Sequence, residues 1–196
     1  MELREKSVRH RYPGLPSSLA EIALNGGQTR LRPATGADAA TLMSWLAKRD
    51  DCMLWGGPAF RHPFTPTSFV EDMRLASLAS YALTDDSSTL LGFGQIYRKL
   101  ERIHLARLAI RPEVRGTGLG KRLISELIGA GEAMFARYEA SVFVYRHNTA
   151  ALRCYKRTGF VAAPWPDADR ALTGCLFMIR NNADMTTDPL STAGAP

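Results

Sequence analysis

A chain of 196 residues, 45% hydrophobic and 22% charged, can bury a substantial core and has the make-up of one globular domain. It holds no apolar run long enough to cross a bilayer, and its charged start, MELREKSVRHRYPG, lacks the apolar stretch of a secretory leader, so a cytoplasmic protein is expected. The net charge of +6 favours an anionic ligand, whereas no Lys/Arg run or zinc-finger spacing points to nucleic acid.

Residues 1–26 mix charges with prolines and read as an N-terminal extension, in which Ser18 and Glu21 form a capping box for a short helix. Asn25-Gly26-Gly27 is a turn, and one domain is expected over residues 27–181. TRLRPA is a strand, and Thr35 or Gly36 opens the helix ADAATLMSWLAKR. DDCMLWGGPAFRHPFTP, rich in aromatics and glycine, reads as a loop. TSFVEDMRLASLA reads as a helix, and SYALTD with SSTLLGFGQIYRK as a hairpin closed by Asp-Asp-Ser-Ser. RIHLARLAIRP is a third strand. It feeds a glycine-rich turn and a helix with Leu119, Leu123, Leu127, Ile128 and Phe135 on one face.

ASVFVYRH has the continuous apolar character of a buried strand. NTAALRCYKRTGF is a helix with Asn148 as N-cap and Gly159 as its stop, and GCLFMIRN is the last strand. Residues 182–196 are small and polar and read as a flexible tail. This order implies an α/β domain with a mixed, mostly antiparallel central sheet flanked by helices on both faces. Cys52, Cys154 and Cys175 are far apart and the four histidines are scattered, so neither a disulfide framework nor a metal site is expected.

The stretch IRPEVRGTGLGKRL carries the chemistry. Glycines at 116, 118 and 120 permit close backbone approach at a helix start, where unpaired N–H groups and the macrodipole favour an anion. Arg115, Lys121 and Arg122 add positive charge, which suits phosphate or pyrophosphate. A plain strand-to-helix turn is the competing reading. A Walker loop is excluded because Arg115 stands where its first glycine belongs and Arg122 follows Lys121. GxGxG in place of GxGxxG, with no acidic residue at the end of ASVFVY, disfavours a dinucleotide.

Arg115-Gly116-Thr117-Gly118-Leu119-Gly120, preceded by LARLAIRPEV, resembles the coenzyme A motif (Q/R-x-x-G-x-G/A) of the GNAT superfamily of N-acetyltransferases. VYRHNTAALRCYKRTGFV resembles the family's next motif and TRLRPATGADAATLMSWL its opening strand and helix, so the resemblance runs over about residues 28–181. It implies that acetyl-CoA lies between two splayed strands. Leu108, Ala109 and Ile110 would meet the pantetheine arm, the backbone N–H groups of Gly116, Thr117, Gly118, Leu119, Gly120 and Lys121 would bind the pyrophosphate, and Arg115 and Arg122 would also belong to the coenzyme site. Asn148 and Ala151 would touch the coenzyme, and a bulge in the preceding strand would free an N–H for the thioester carbonyl. A homodimer is also implied.

By resemblance, Tyr155 is the general acid that protonates the departing thiolate, although periodicity alone places it with Leu152 on a buried stripe. The family's usual glutamate near Ala106 or Arg107 is missing. Glu101 and His104 are substitutes that leave the base unassigned. Trp55, Phe60, Phe64 and Trp165 either wall an acceptor pocket or seal the edge of the core. The implied activity is transfer of an acetyl group from acetyl-CoA to a primary amine of a small molecule, peptide or protein, without a metal. The alternative is a non-catalytic acyl-CoA binding or sensing domain.

Overall fold

Capping chemistry fixes where the first elements begin. The Asp38 carboxylate gathers the Thr35 N–H (2.7 Å), the Thr35 hydroxyl (3.0 Å) and both Arg32 Nη atoms (2.7 and 2.8 Å). It thereby joins β1 (Arg30–Pro33) to α1 (Gly36–Trp45). A reciprocal pair does the same for α3 (Pro66–Met73): Thr65 Oγ1 accepts from the Ser68 N–H, and Ser68 Oγ accepts from the Thr65 N–H. The computed structural model describes residues 28–136, 139–167 and 171–180, so the expectations for 1–26 and 182–196 lie outside the described residues.

Between α1 and α3 stands α2 (Arg49–Gly56), inside the stretch expected to be a loop. Its short amphipathic pattern was masked by neighbouring glycines. Cys52 and Trp55, three residues apart, bury one face, while Asp50 and Asp51 suit the positive end of the helix. The helix expected over 67–79 stops at Met73, because Arg74 turns to φ 54° and Ala79 already belongs to β2 (Ala79–Thr84). β3 (Leu90–Lys99) and β4 (Arg102–Ile110) follow, then α4 (Leu119–Phe135), β5 (Ala140–Tyr145) and α5 (Thr149–Arg157). The short β6 (Val161–Ala163), which has no counterpart in the sequence reading, pairs with β7 (Cys175–Arg180).

The seven strands form one sheet in the order β1-β2-β3-β4-β5-β7-β6, antiparallel throughout except for β4 beside β5. Each face carries its own core. On one, Leu119, Leu123, Leu127 and Ile128 of α4 pack with Leu83, Ile96, Ile103 and Leu105 of the sheet. On the other, Leu42 of α1, Trp55 of α2 and Phe69 of α3 pack with Ala82 and Phe93. Helices on both faces of a mostly antiparallel sheet are the architecture expected from the chain order.

Candidate active site

The parallel pair places the site. β4 and β5 register only at Ile103–Ala140, His104–Ser141 and Leu105–Val142. Beyond Leu105 the two strands continue to Ile110 and Tyr145 without pairing to each other, leaving a gap at the carboxyl ends of two parallel strands. A helix follows each strand, so the N-termini of α4 and α5 stand at the mouth of that gap. They touch there: a Cβ built on Gly120 would lie 3.1 Å from Cys154 Sγ, so glycine lets α5 close against α4.

The turn into α4 is an array of open donors. Gly116 (φ 80°) and Gly118 (φ 99°) occupy the left-handed region that side chains disfavour, and nothing lies within 4 Å above Gly118. Among the described residues, the backbone N–H groups of 116–120, five in succession, find no acceptor, whereas those of Lys121 and Arg122 both donate to Gly118 O (3.0 and 3.2 Å). Thr117 Oγ1 donates to Val114 O (2.7 Å) and Arg115 Nε to Ile110 O (3.1 Å), tying the turn to the end of β4. Arg122 binds Glu126 (2.7 Å) and Thr29 O (3.3 Å), and Lys121 is exposed. Such an array is an anion cradle.

β4 carries a bulge at the head of the gap. Phe93 registers with Ala109 but Gln95 with Ala106, so Arg107 and Leu108 together oppose Gly94, and Arg107 adopts φ 52°. Trp55 Nε1 donates to Arg107 O (2.7 Å), anchoring the bulge to α2. Sequence reasoning missed Arg107 because only the register of two distant strands creates it. Ala109 and Ile110 complete β4, with Leu108 and Ile110 packed against the α4-side core.

Asn148 caps α5 as expected, its Oδ1 accepting from the Ala151 N–H at 3.1 Å. Two turns on from Asn148, Tyr155 is 8% exposed and 5.6 Å from the Phe160 ring. Burial, with the Cys154 charge second, holds its phenol well above the ordinary range, so it stays protonated. Its hydroxyl has no partner among the described residues, yet it is not one of the sealed polar atoms there, so solvent reaches it. Core residue and accessible donor are one residue.

The two substitute bases do not join the site. His104 is buried, shares a hydrogen bond with Ser141 Oγ (3.0 Å), and is pushed down to about 3 by burial and then by Lys99. Glu101 pairs with Arg98 in the β3–β4 turn, six residues from Arg107 and so about 20 Å along the strand. Of the aromatics, Trp55 and Phe60 are buried and cluster with Phe69 (5.7 and 5.2 Å), sealing the core edge. Phe64 packs 4.9 Å from the same ring, and Trp165 stacks on Phe143 at 4.6 Å.

Residues 42–160 match the model of the acetyltransferase (GNAT) family. The chain belongs to that family. Similar solved structures include spermidine N-acetyltransferase from Vibrio cholerae in complex with CoA and spermine: TM-score 0.60, 18% identity, covering 78% of this chain and 94% of that one. Aminoglycoside acetyltransferase AAC(6')-Ib in complex with ribostamycin and coenzyme A is also similar: TM-score 0.61, 20% identity, 86% and 99% covered. A GNAT-family acetyltransferase from Streptococcus pneumoniae aligns at TM-score 0.51, 18% identity, 78% and 97% covered. At these identities the likeness is one of fold, and the GNAT gap, bulge and turn are this chain's own geometry. No helix among the described residues is long and apolar enough to cross a membrane.

Proposed function

We propose that this GNAT protein is an acetyl-CoA-dependent N-acetyltransferase that acetylates a primary amine by direct transfer, in the cytoplasm. The observation that carries the reading is the run of five unbonded N–H groups at 116–120, set at the mouth of the β4–β5 gap. Those groups would hold the pyrophosphate, with Arg115 and Lys121 supplying charge. The pantetheine arm would lie along Leu108, Ala109 and Ile110 as an added strand, with Asn148 and Ala151 across the gap. Arg122, bound to Glu126, contributes through its backbone and long-range field.

The transfer balances simply. A neutral amine attacks the thioester carbon, forming the C–N bond, and the bulge supplies an N–H to the oxyanion. The C–S bond then breaks as the amine loses its proton to solvent. Tyr155 donates a proton to the departing thiolate and recovers one from water. Donors aimed at an oxyanion are worth about 10²–10³ in rate elsewhere.

Calorimetric titration with acetyl-CoA, using NAD and ATP as controls, tests the reading. Selective binding supports it, and indifference to every CoA species ends it. Binding without turnover on an amine panel would favour the acyl-CoA sensing alternative, which the absence of the family's usual glutamate near Ala106 or Arg107 supports and the presence of Tyr155 opposes.

A further inference from the structure

The Arg107 side chain takes no part in the chemistry above, yet the residue stands at the head of the gap. Its half-buried guanidinium bonds through Nη1 to Gln95 Oε1 (2.7 Å) and Met73 O (3.2 Å) and lies 5.8 Å over the Phe60 ring. Every one of those partners is neutral. Among the described residues no carboxylate comes within 4.0 Å of it. Asp72, whose charge it feels, is already bound by the Arg61 N–H (2.9 Å) and guanidinium (2.8 Å).

Nε and Nη2 have no hydrogen-bond partner among the described residues. Nor are they sealed: Thr84 Oγ1 is the buried, unpartnered side-chain polar atom there. The Nε–Nη2 edge therefore keeps some contact with solvent, with Tyr97 as a polar neighbour. A largely desolvated guanidinium without a counter-ion is costly, and that edge has the fork geometry that receives a carboxylate side-on.

We propose that Arg107 recognises the acceptor by its carboxylate, so that the substrates are primary amines bearing an acid group, such as amino acids or short peptides. This rests on the acetyltransferase reading of the site. A fixed cation at the bulge also repels a second ammonium, which disfavours the polycationic amines named for the structurally similar enzymes.

The experiment pairs L-amino acids and dipeptides with their C-terminal amides, with spermidine as polycation control. It reads CoA release from acetyl-CoA and, independently, binding to the CoA-loaded protein. Acids are expected to exceed their amides by about 10–100-fold in kcat/KM or affinity, the worth of a charged hydrogen bond. R107Q should erase that preference and R107K should restore part of it. Acetyl-CoA binding by each variant reports that it is folded; should R107Q fail to fold, the wild-type pairs and R107K decide. Equal or better binding of the amides or spermidine, no acid bound at all, or a preference that survives R107Q overturns the proposal while the acetyl-CoA reading stands. Failure of the wild-type protein to bind acetyl-CoA removes both.

Discussion

Tyr155 and His104 are both largely buried ring side chains, and burial moves their titration in opposite directions because it disfavours whichever form is charged. For Tyr155 the charged form is the phenolate, so the proton donor stays loaded at neutral pH and well beyond. Tyr155→Phe is expected to lower kcat by about 10²–10⁴-fold with acetyl-CoA affinity nearly unchanged, measured by steady-state kinetics beside calorimetry. The wild type should show no alkaline fall in kcat from this residue below about pH 10. An unchanged kcat in the variant removes Tyr155 from the chemistry. For His104 the charged form is imidazolium, disfavoured in the native state, where the ring titrates near 3 against 6.5 when free. Between those values the unfolded chain binds a proton that the native one refuses, so stability is full above 6.5 and falls on acidification. The slope is about 1.4 kcal/mol per pH unit. Urea unfolding at pH 7 and pH 5 should reveal a loss of about 2 kcal/mol that His104→Phe abolishes. The same acid loss in the variant would assign it to other groups.

At the scale of elements, α4 lies close against the sheet because a glycine faces Ile103. A Cβ on Gly131 would come 2.5 Å from Ile103 Cγ2, a stiff branched side chain, whereas nothing stands within 4 Å of one on Gly129. Gly131→Ala therefore trades a helix-propensity gain of up to about 1 kcal/mol for overpacking of about 1–3 kcal/mol, and Gly129→Ala keeps the gain alone. Chemical denaturation should find the first destabilising and the second stabilising; equal signs would mean that α4 has room to shift. The apolar stripe of α4 and the caps of α5 were legible because they depend on neighbours three or four residues away. The α2 helix was not, since its eight residues owe their order to Phe69 and Phe93, far along the chain. The resemblance implied a bulge in β4, but its place at Arg107 was hidden. Its positive φ goes against the preference of arginine and is set by the register of β3 on β4, with Trp55 of α2 holding the carbonyl. The glycine turn was legible as a cradle, but not which N–H groups stay open, because that depends on how Thr117 and Arg115 bond back to β4 and the preceding turn.

The whole molecule is organised around an interruption. β1–β4 and β5–β7 are continuous half-sheets that share three register pairs, and past Leu105 the gap leaves strand edges with backbone groups unmatched across it. A ligand that lies along β4 and ends on the α4 turn would complete those edges, as a missing strand would, so its binding couples to the stability of both halves. At about a hundred times its Kd, such a ligand stabilises by about 2.7 kcal/mol, or about 5–10 °C in Tm for a domain of this size. Coenzyme A and acetyl-CoA should both give that shift in a thermal melt. Pantetheine, which can reach β4 but carries no pyrophosphate for the five open N–H groups, should give only a small fraction of it at equal concentration. Raising the salt should shrink the coenzyme A shift and leave the pantetheine shift in place, because only the former draws on the positive turn and the net charge of +6. Equal shifts from the two ligands would mean that the strand edge alone binds, and the glycine turn would then be no more than the path from β4 into α4.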